Sequence, residues 1–425
     1  MSVDPVSGGD GVEGPLVVSP ERPVCIVGGG VAGLSCALRL HRAGIPVRLF
    51  EAADRVGGRV RSELVDGFTL DRGFQVLLDS YDELAEVIDT RALRLRAFEP
   101  GCIIRWQGRF YPLFDPIRRP SSVTRMMGHR IGTLRDWMKV VALRARWLGR
   151  KEVRFDEYPG MSVHELLVRE GFSHEMIEVF FRPFFSGVFL EYGLTTAACF
   201  FPFIFSRFSA GLATLPEGGM QAVADQMVAG LPAGSVMLAT PIAEITGDEV
   251  IDHRGERCPA SVVVDARSLL GNDRGSAHST AVHYCEVPTH LPDKRTLYVG
   301  AGTGTLLHVV APLSDVQPTY APPGRHLVAI TCYPYSAQEG SGKTVGEQLK
   351  TEICSWFRFA PGSVRLIASY TIPRALGRFF SASDRAPLLR DGRYQIGDIT
   401  EYPSLNGALL SGRVVAERIV RRCTI

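Results

Sequence analysis

The sequence predicts an α/β fold that opens with a strand, a tight turn, a helix and a second strand. Three observations support this prediction. An uninterrupted apolar run, Val24–Val27, is typical of a buried parallel strand. Closely spaced glycines follow it, and apolar residues at helical spacing come after the glycines. A second apolar run, Val47–Phe50, then ends in an acidic residue, Glu51.

The glycines Gly28, Gly30 and Gly33 have the GxGxxG spacing. The first permits a tight turn, the second lets the backbone approach a pyrophosphate, and the third lets helix pack closely on strand. The free N–H groups and the dipole of the helix favour an anion at its start. Glu51 follows Gly33 after seventeen intervening residues and can accept hydrogen bonds from a ribose diol. Because strand, helix, strand and acid occur in order, we predict a Rossmann-type dinucleotide site rather than a purely structural turn.

The residues after this unit indicate which dinucleotide binds. The stretch 55–59 reads RVGGR, and the stretch 68–73 reads FTLDRG. Together they resemble the RxGGR and D-x-G signature of the flavin-containing amine oxidase and phytoene desaturase superfamily. Stretches 215–220 (LPEGGM), 395–398 (QIGD) and 402–412 (YPSLNGALLSG) resemble further segments of that superfamily. The resemblance implies non-covalent FAD, and the absence of a cysteine near 402–412 argues against a cysteinyl flavin.

The motif and the resemblance predict the following cofactor contacts: Gly28, Gly30, Val31, Ala32, Gly33, Glu51, Ala52, Gly58, Arg59, Gly73, Ile242, Gly397, Asp398, Asn406, Gly407 and Ala408. Arg59 is predicted to meet the diphosphate, and Asp398 a ribityl hydroxyl. The helix opening at Asn406 would stabilise negative charge at the pyrimidine edge of the flavin. No catalytic acid or base is assigned, because the cofactor carries the redox step.

The length of 425 residues and 45% hydrophobic content allow two domains. The resemblance implies an FAD-binding domain assembled from residues 22–80, 212–285 and 385–425. An α+β substrate domain, residues 81–211 and 286–384, would be inserted between these segments. Residues 1–21, rich in Gly, Ser, Asp and Pro, are predicted to be a disordered tail without signal-peptide character.

The composition of the chain indicates which partners it can bind and in which cell compartment it is found. The formal net charge is +2, which provides no overall attraction to nucleic acid. Nine cysteines without a C-x-x-C pair suit reduced thiols in the cytoplasm. We predict no metal site and no nucleic-acid partner. Gly300, Gly302 and Gly304 lie between two apolar runs, which predicts strand, turn and strand rather than a second dinucleotide site.

Residues 118–154 carry eleven Lys and Arg against two acids and contain a helical pattern. Its apolar stripe consists of Leu134, Trp137, Met138, Val141, Ala145 and Leu148. We expect this stripe to cap its own domain. The alternative is peripheral contact with an anionic membrane surface, through which a lipid-soluble substrate could enter.

Residues 180–208 hold ten of the 22 phenylalanines, but charges and prolines make a membrane-spanning helix a poor interpretation. Two interpretations stay open: the rings form core, or part of them lines an apolar pocket beside the flavin. The candidate pocket residues are Phe184, Phe185, Phe205 and Tyr370.

The resemblance implies an FAD-dependent oxidoreductase. We favour a dehydrogenase or desaturase that transfers a hydride from a C–H of an apolar, isoprenoid or tetrapyrrole-like, molecule to flavin N5, with quinone or oxygen as electron acceptor. True amine oxidases of the superfamily commonly hold a lysine near N5, and none lies within residues 297–312 or 326–332. The alternatives are a flavin amine oxidase using oxygen, a redox-neutral polyene isomerase on reduced FAD, and a non-catalytic binding protein like the Rab GDP-dissociation inhibitors.

Overall fold

The computed structural model describes residues 15–73, 75–115, 117–122, 131–267, 277–302, 304–332, 344–381, 385, 389–390 and 393–423. Residues 1–14 of the predicted tail and residues 123–130 of the basic segment lie outside the described residues. Residues 15–21 of the predicted tail pack against the rest of the chain. The Leu16 N–H donates to the Arg422 carbonyl at 3.0 Å, and the Ser261 hydroxyl donates to the Val17 carbonyl at 2.7 Å.

The strands and helices are numbered in chain order. The first part contains β1 Val24–Val27, α1 Val31–Arg42, β2 Val47–Phe50, β3 Ser62–Val65, β4 Phe68–Asp71, β5 Leu77–Leu78, α2 Asp82–Val87, β6 Arg96–Ala97, β7 Gly101–Trp106 and β8 Arg109–Phe114. The middle contains α3 Leu134–Trp147, α4 Val163–Arg169, α5 His174–Met176, α6 Arg182–Phe189, α7 Phe201–Ala210, β9 Ala213–Leu215 and α8 Gln221–Ala229. The last part contains β10 Val236–Met237, β11 Ile242–Ile245, β12 Glu249–Asp252, β13 Arg257–Pro259, β14 Val262–Asp265, β15 Ala277–Val287, β16 Leu297–Gly300, β17 Val309–Ala311, α9 Leu313–Val316, β18 His326–Cys332, α10 Val345–Phe357, β19 Arg365–Gly377, β20 Leu389–Arg390, β21 Arg393–Gln395 and α11 Leu405–Cys423.

A six-stranded sheet in the order β10-β2-β1-β14-β21-β20 confirms the predicted α/β fold. All of its pairs are parallel except β20 with β21. The central strand β1 is buried along its whole length, as an uninterrupted apolar run requires. Helices α1 and α11 pack on each other so closely that a Cβ at Gly412 would lie 2.5 Å from the Ala32 carbonyl oxygen.

A second, seven-stranded sheet has the order β19-β15-β18-β17-β16-β7-β8 and is antiparallel except for β16 with β7. Helix α10 covers one face through Leu349, Ile353 and Trp356. The other face packs against the β3–β4 hairpin of the first domain. The change from one sheet to the other occurs before β15, so the proposed boundary at residue 285 falls within that strand.

The second glycine-rich stretch is a turn between antiparallel strands. Tyr298 of β16 pairs with Val310 of β17. The sequence-based prediction of strand, turn and strand around Gly300 is therefore confirmed.

The phenylalanine-rich segment forms the core of the helical region. Phe181, Phe200 and Phe201 are fully or almost fully buried, and the rings of Phe185 and Phe201 lie with centroids 4.8 Å apart. Phe184 and Phe205 are only partly buried. Within the described residues, no helix combines the length and the hydropathy needed to cross a bilayer.

Helix α3 corrects one expectation about the basic segment. Leu134, Met138, Val141 and Leu148 are 77%, 58%, 54% and 71% exposed, so these four members of the predicted stripe do not cap the domain, whereas Trp137 packs in part against Phe180. The inward face instead carries Leu143 and Trp147, whose indole packs edge-on against Phe201 and Phe205 at 5.8 and 5.6 Å. The helix thus has two apolar faces, and the sequence pattern alone does not show which of them packs.

Candidate functional site

Two glycine turns lie on each other at the carboxyl end of β1, where the sheet order changes direction between β2 and β14. The Gly57 N–H donates to the Gly29 carbonyl at 2.8 Å, and a Cβ at Gly58 would lie 3.3 Å from the Gly30 Cα. Among the described residues, none would have an atom within 4 Å of a Cβ at Gly30. The two turns therefore form a backbone floor with open space above it, at the position where ligands bind in open parallel sheets.

The start of α1 faces this floor. Gly30 is its N-cap residue, no side chain caps the helix, and its first turn contains no acidic residue. A Cβ at Gly33 would lie only 2.1 Å from the Gly28 carbonyl oxygen, which explains why the helix can begin this close to the strand only with glycine there. The N–H groups of Val31 and Ala32 belong to this uncapped first turn, which suits an anionic group.

Glu51 lies at the end of β2 and is fixed by two backbone donors. Its Oε2 accepts from the Gly29 N–H at 2.7 Å, and its Oε1 accepts from the Ala53 N–H at 2.8 Å. Each carboxylate oxygen keeps a lone pair for a further donor, as a ribose contact requires.

Ala52 adjoins this carboxylate along the chain, whereas Ile242 opens β11 and packs its side chain with Phe50. An adenine contact at Ile242 would therefore come from the main chain.

Arg59 and Asp398, predicted for different parts of the cofactor, face each other. Their two nitrogen–oxygen distances are 2.5 and 3.0 Å, and Arg59 also donates to the Ala375 carbonyl at 3.2 Å. Asp398 is buried, whereas 39% of the Arg59 side chain is accessible. The Asp398 carboxylate raises the pKa of the Arg59 guanidinium. This ion pair joins the second glycine turn, β19 and the segment that begins at Gly397.

The start of α11 is more fully hydrogen-bonded than the sequence predicts. The Gly407 N–H donates to the Ser404 hydroxyl at 2.9 Å, and the Ala408 N–H donates to the Ser404 carbonyl at 3.0 Å. The Asn406 side chain links α2 and Tyr402. Of the three predicted N–H donors, only that of Asn406 has no acceptor among the described contacts. The anion-stabilising hypothesis for this helix therefore rests on its first N–H groups.

Asp71 is a buried hub to which the sequence analysis assigned no role. Its carboxylate accepts from the Ser62 hydroxyl at 2.5 Å, the Met220 N–H at 2.9 Å and the Tyr320 hydroxyl at 3.0 Å. The Tyr284 hydroxyl donates to its carbonyl at 2.6 Å. Burial raises the pKa of Asp71 to about 6. Asp71 thereby connects the β3–β4 hairpin, the start of α8 and the second sheet, two residues before the predicted contact Gly73.

The four predicted pocket residues form two groups among the described contacts. Tyr370 on β19 donates to Glu63 at 3.1 Å, and a Cβ at nearby Gly73 would lie 3.5 Å from the Ile372 side chain of the same strand. The pKa of Tyr370 is raised to about 12, mainly because the side chain is buried and also because the Glu63 carboxylate lies next to it. Phe184, Phe185 and Phe205 lie in the helical region. Two surface cavities, of about 480 and 340 Å³, are lined by none of the predicted site residues.

Comparisons with known proteins bear on this arrangement. The family model described as flavin containing amine oxidoreductase matches residues 31–265. Protoporphyrinogen oxidase 2 of Arabidopsis thaliana is 27% identical over 171 residues, 40% of this chain and 33% of that protein. Phytoene desaturase (lycopene-forming) of Pantoea ananas is 45% identical over 58 residues, 14% of this chain and 12% of that protein. The matches thus span a third or less of these curated relatives.

A solved structure extends the similarity along the chain. A candidate protoporphyrinogen oxidase from Exiguobacterium sp. 255-15 has a TM-score of 0.70 at 19% identity, over 95% of this chain and 100% of its own. At this identity the likeness concerns the fold alone.

Replacing Asp71 with asparagine tests the buried hub. Because burial raises the folded-state pKa from 3.8 to about 6, the stability that protonated Asp71 contributes is complete below pH 3.8. This stabilisation is lost as the pH rises to about 6, which lowers the free energy of unfolding by about 3 kcal/mol. Asn is neutral throughout, so the unfolding temperature of wild type should fall relative to Asp71→Asn over this range.

The measurement is thermal unfolding of both proteins across the pH series, with the exposed Asp248→Asn as matched control. A difference between wild type and Asp71→Asn that stays constant with pH would show that Asp71 has the same pKa in the folded and unfolded protein, which contradicts the expected shift.

Proposed function

Because the chain belongs to the family of flavin-containing amine oxidoreductases, we propose that it oxidises an apolar substrate with FAD. Family membership confirms the predicted superfamily and the flavin cofactor. The identity of the substrate and the direction of the reaction are the proposal. The main structural support for the use of FAD is the open glycine floor beneath an uncapped helix start, beside the fixed carboxylate of Glu51.

The residues present fit FAD. Within the part of the chain that the structure describes, a Cβ at Gly30 or at Gly397 would have no neighbour within 4 Å, so both glycines border open space. The uncapped first turn of α1 would hold the diphosphate, and Glu51 the ribose of the adenosine half. Gly58, Gly73 and the Arg59–Asp398 pair would line the remainder of the cofactor.

FAD, when bound, supplies a two-electron acceptor for a hydride. The residues of the chain itself would position the cofactor and set the electrostatic potential around it. The ion pair neutralises the charge of the buried Asp398 carboxylate, and Asp71 holds the strand end before Gly73. At the start of α11, the Asn406 N–H has no acceptor among the described contacts and would favour developing negative charge on a group that it faces.

An apolar substrate is supported by the aromatic surface of the helical region. Phe184 and Phe205 keep part of their rings exposed on a cluster that is otherwise core. The two curated relatives are named for protoporphyrinogen and for phytoene, which exemplify the proposed class of substrate. An amine oxidase is the second candidate, and a polyene isomerase the third. A flavin-free binding protein is disfavoured, because it has no need of the glycine floor and Glu51.

Glu51→Gln tests the adenosine end of the cofactor site. Gln keeps one acceptor but directs an NH₂ group at one of the two backbone donors that Glu51 accepts from. The FAD affinity should fall by on the order of tenfold, the cost of an unsatisfied buried donor. Flavin content after gel filtration and an FAD titration of the apoprotein measure this loss.

Glu244→Gln, an exposed acid on β11, is the matched control and should keep wild-type flavin content. Full flavin occupancy in Glu51→Gln would contradict the assigned role.

The reaction itself is tested by anaerobic mixing of the flavin-loaded protein with candidate substrates. Protoporphyrinogen or phytoene in detergent should bleach the oxidised flavin absorbance, and putrescine should not. Bleaching by putrescine alone would favour the amine oxidase. An isomerised polyene that forms only after the flavin has been reduced with dithionite, with no change in flavin absorbance, would favour the isomerase. Subsequent reoxidation by air-saturated buffer or by a quinone identifies the electron acceptor.

We further propose that α3 contacts an anionic membrane surface. Its outward stripe is apolar and exposed, and residues 118–154 carry nine more basic than acidic side chains, eleven minus two. Several of these charges are paired within the protein, as Arg144 is with Asp115 and Arg146 with Glu170. The exposed apolar stripe of α3, rather than the net charge, therefore carries the proposal. A helix of this kind lies in the plane of the lipid headgroups.

Met138→Glu combined with Val141→Glu should abolish sedimentation with phosphatidylserine-containing liposomes, because both side chains are on the exposed stripe. Val168→Glu is the matched control, since Val168 is also 54% exposed but lies on α4. Wild type and the control should sediment at low salt and be released in part by added salt. Failure of wild type to sediment at low salt would remove the proposal.

A further inference from the structure

Three side chains with metal-binding atoms converge at one end of the second sheet, apart from the cofactor site. These are His290, Asp315 and His326, and their ligating atoms all lie within 4.8 Å of one another. His290 Nδ1 contacts Asp315 Oδ1, and the imidazole rings of His290 and His326 have centroids 4.1 Å apart. None of the three takes part in the cofactor site described above.

The fold holds these residues on three separate elements. His326 is the first residue of β18 and pairs with Val287, the last residue of β15, so the chain leaving β15 brings His290 alongside. Asp315 belongs to α9, which is tied to β18 by a 2.8 Å bond from the Leu327 N–H to the Ser314 hydroxyl. The Asp315 side chain is 3% exposed and that of His290 is 42% exposed. The cluster therefore has a buried base and an open outer side.

The charged residues that act on the cluster from outside are Glu286 and Lys294. Glu286, the nearest acid along β15, is engaged by Arg325 at 2.6 and 2.7 Å and by Arg365 at 2.9 Å. Its charge is thus already balanced. Asp315 contacts His290, whereas the ring nitrogens of His326 have no hydrogen-bond partner among the described contacts. The contact with Asp315 explains the position of His290, but it does not explain why His326 lies beside them.

We propose that His290, Asp315 and His326 form a site for a divalent transition-metal ion, with Zn²⁺ as the ion that fits best. Two imidazole nitrogens and one carboxylate oxygen are donors that zinc accepts, and three protein ligands leave a fourth position for water. Tetrahedral zinc with bonds of about 2.0–2.1 Å needs ligand atoms about 3.4 Å apart. Side-chain movements of about 1 Å would close the present cluster to that separation.

Binding involves coordination only, without a redox change. Two metal–nitrogen bonds and one metal–oxygen bond form as the ion gives up bound water, and the proton that a neutral His290 directs at Asp315 moves to the other ring nitrogen. The ion would tie the loop after β15 to α9 and β18. Its expected effect is to stabilise the folded sheet by binding the folded state alone.

Zinc binding to the full-length, flavin-loaded protein tests the proposal, after removal of any affinity tag and dialysis against a chelator. The probe is Zn²⁺ alone, measured by competition with a chromogenic chelator and by thermal unfolding with and without zinc. Wild type should bind one equivalent and unfold at a higher temperature with zinc. His290→Ala and His326→Ala should each weaken binding by at least about tenfold and lose the thermal shift. Bound Co²⁺ should give the visible absorption of a tetrahedral site in wild type only.

His253→Ala is the matched control, because His253 is an exposed histidine in the turn between β12 and β13. It should bind zinc like wild type. His290→Ala keeps the test decisive if His326→Ala does not fold, since the His290 side chain is largely outside the core. Equal zinc affinity in wild type and His290→Ala, or no stoichiometric binding by wild type, would overturn the proposal.

Discussion

The site depends on the close approach of backbone to backbone where β1 ends. At Gly28, Gly33 and Gly57 an added Cβ would lie 2.9, 2.1 and 2.3 Å from a main-chain atom, which belongs to Ala266, Gly28 and Val60 respectively. No side chain can occupy such positions without displacing the main chain. The orientation of α1, the stacking of the second glycine turn and the position of Glu51 all follow from this constraint. The floor is open because no atom of the residues that the structure describes lies within 4 Å of a Cβ built at Gly30.

Charged groups around this floor connect segments that are distant along the chain. Arg59 and Asp398 are 339 residues apart, and Asp71 and Tyr320 are 249 apart. Each pair joins two segments that are far apart along the chain. The buried carboxylates of Asp398 and Asp71 therefore hold these segments together and are not assigned a role as proton donors. This distribution agrees with a chemistry in which the cofactor accepts the electrons and the protein sets distances and electrostatic potential.

The local part of this architecture was predictable from the sequence, because its causes are local. The GxGxxG turn, the strand ending in Glu51 and the antiparallel turn near Gly300 each depend on neighbouring residues. The Asp71 hub was not predictable, since its partners come from three distant elements and share no spacing. The outward stripe of α3 was misassigned because an apolar pattern shows a face but not its neighbour. The cluster of His290, Asp315 and His326 was missed for the reason that applies to Asp71: the register of β15 and β18 brings the residues together.

The discontinuous first sheet has a consequence for the order of events during translation. Strand β21 and helix α11 come from the final part of the chain, yet β21 pairs with β14, and Gly412 of α11 packs against Ala32 and Cys36 of α1. A nascent chain that has emerged only as far as β19 therefore has the glycine turns but lacks the helix that covers α1. Its apolar surface stays open to chaperones until β21 and α11 have been synthesised. A truncation that removes α11 would therefore expose α1, although the glycine turns lie near the opposite end of the sequence.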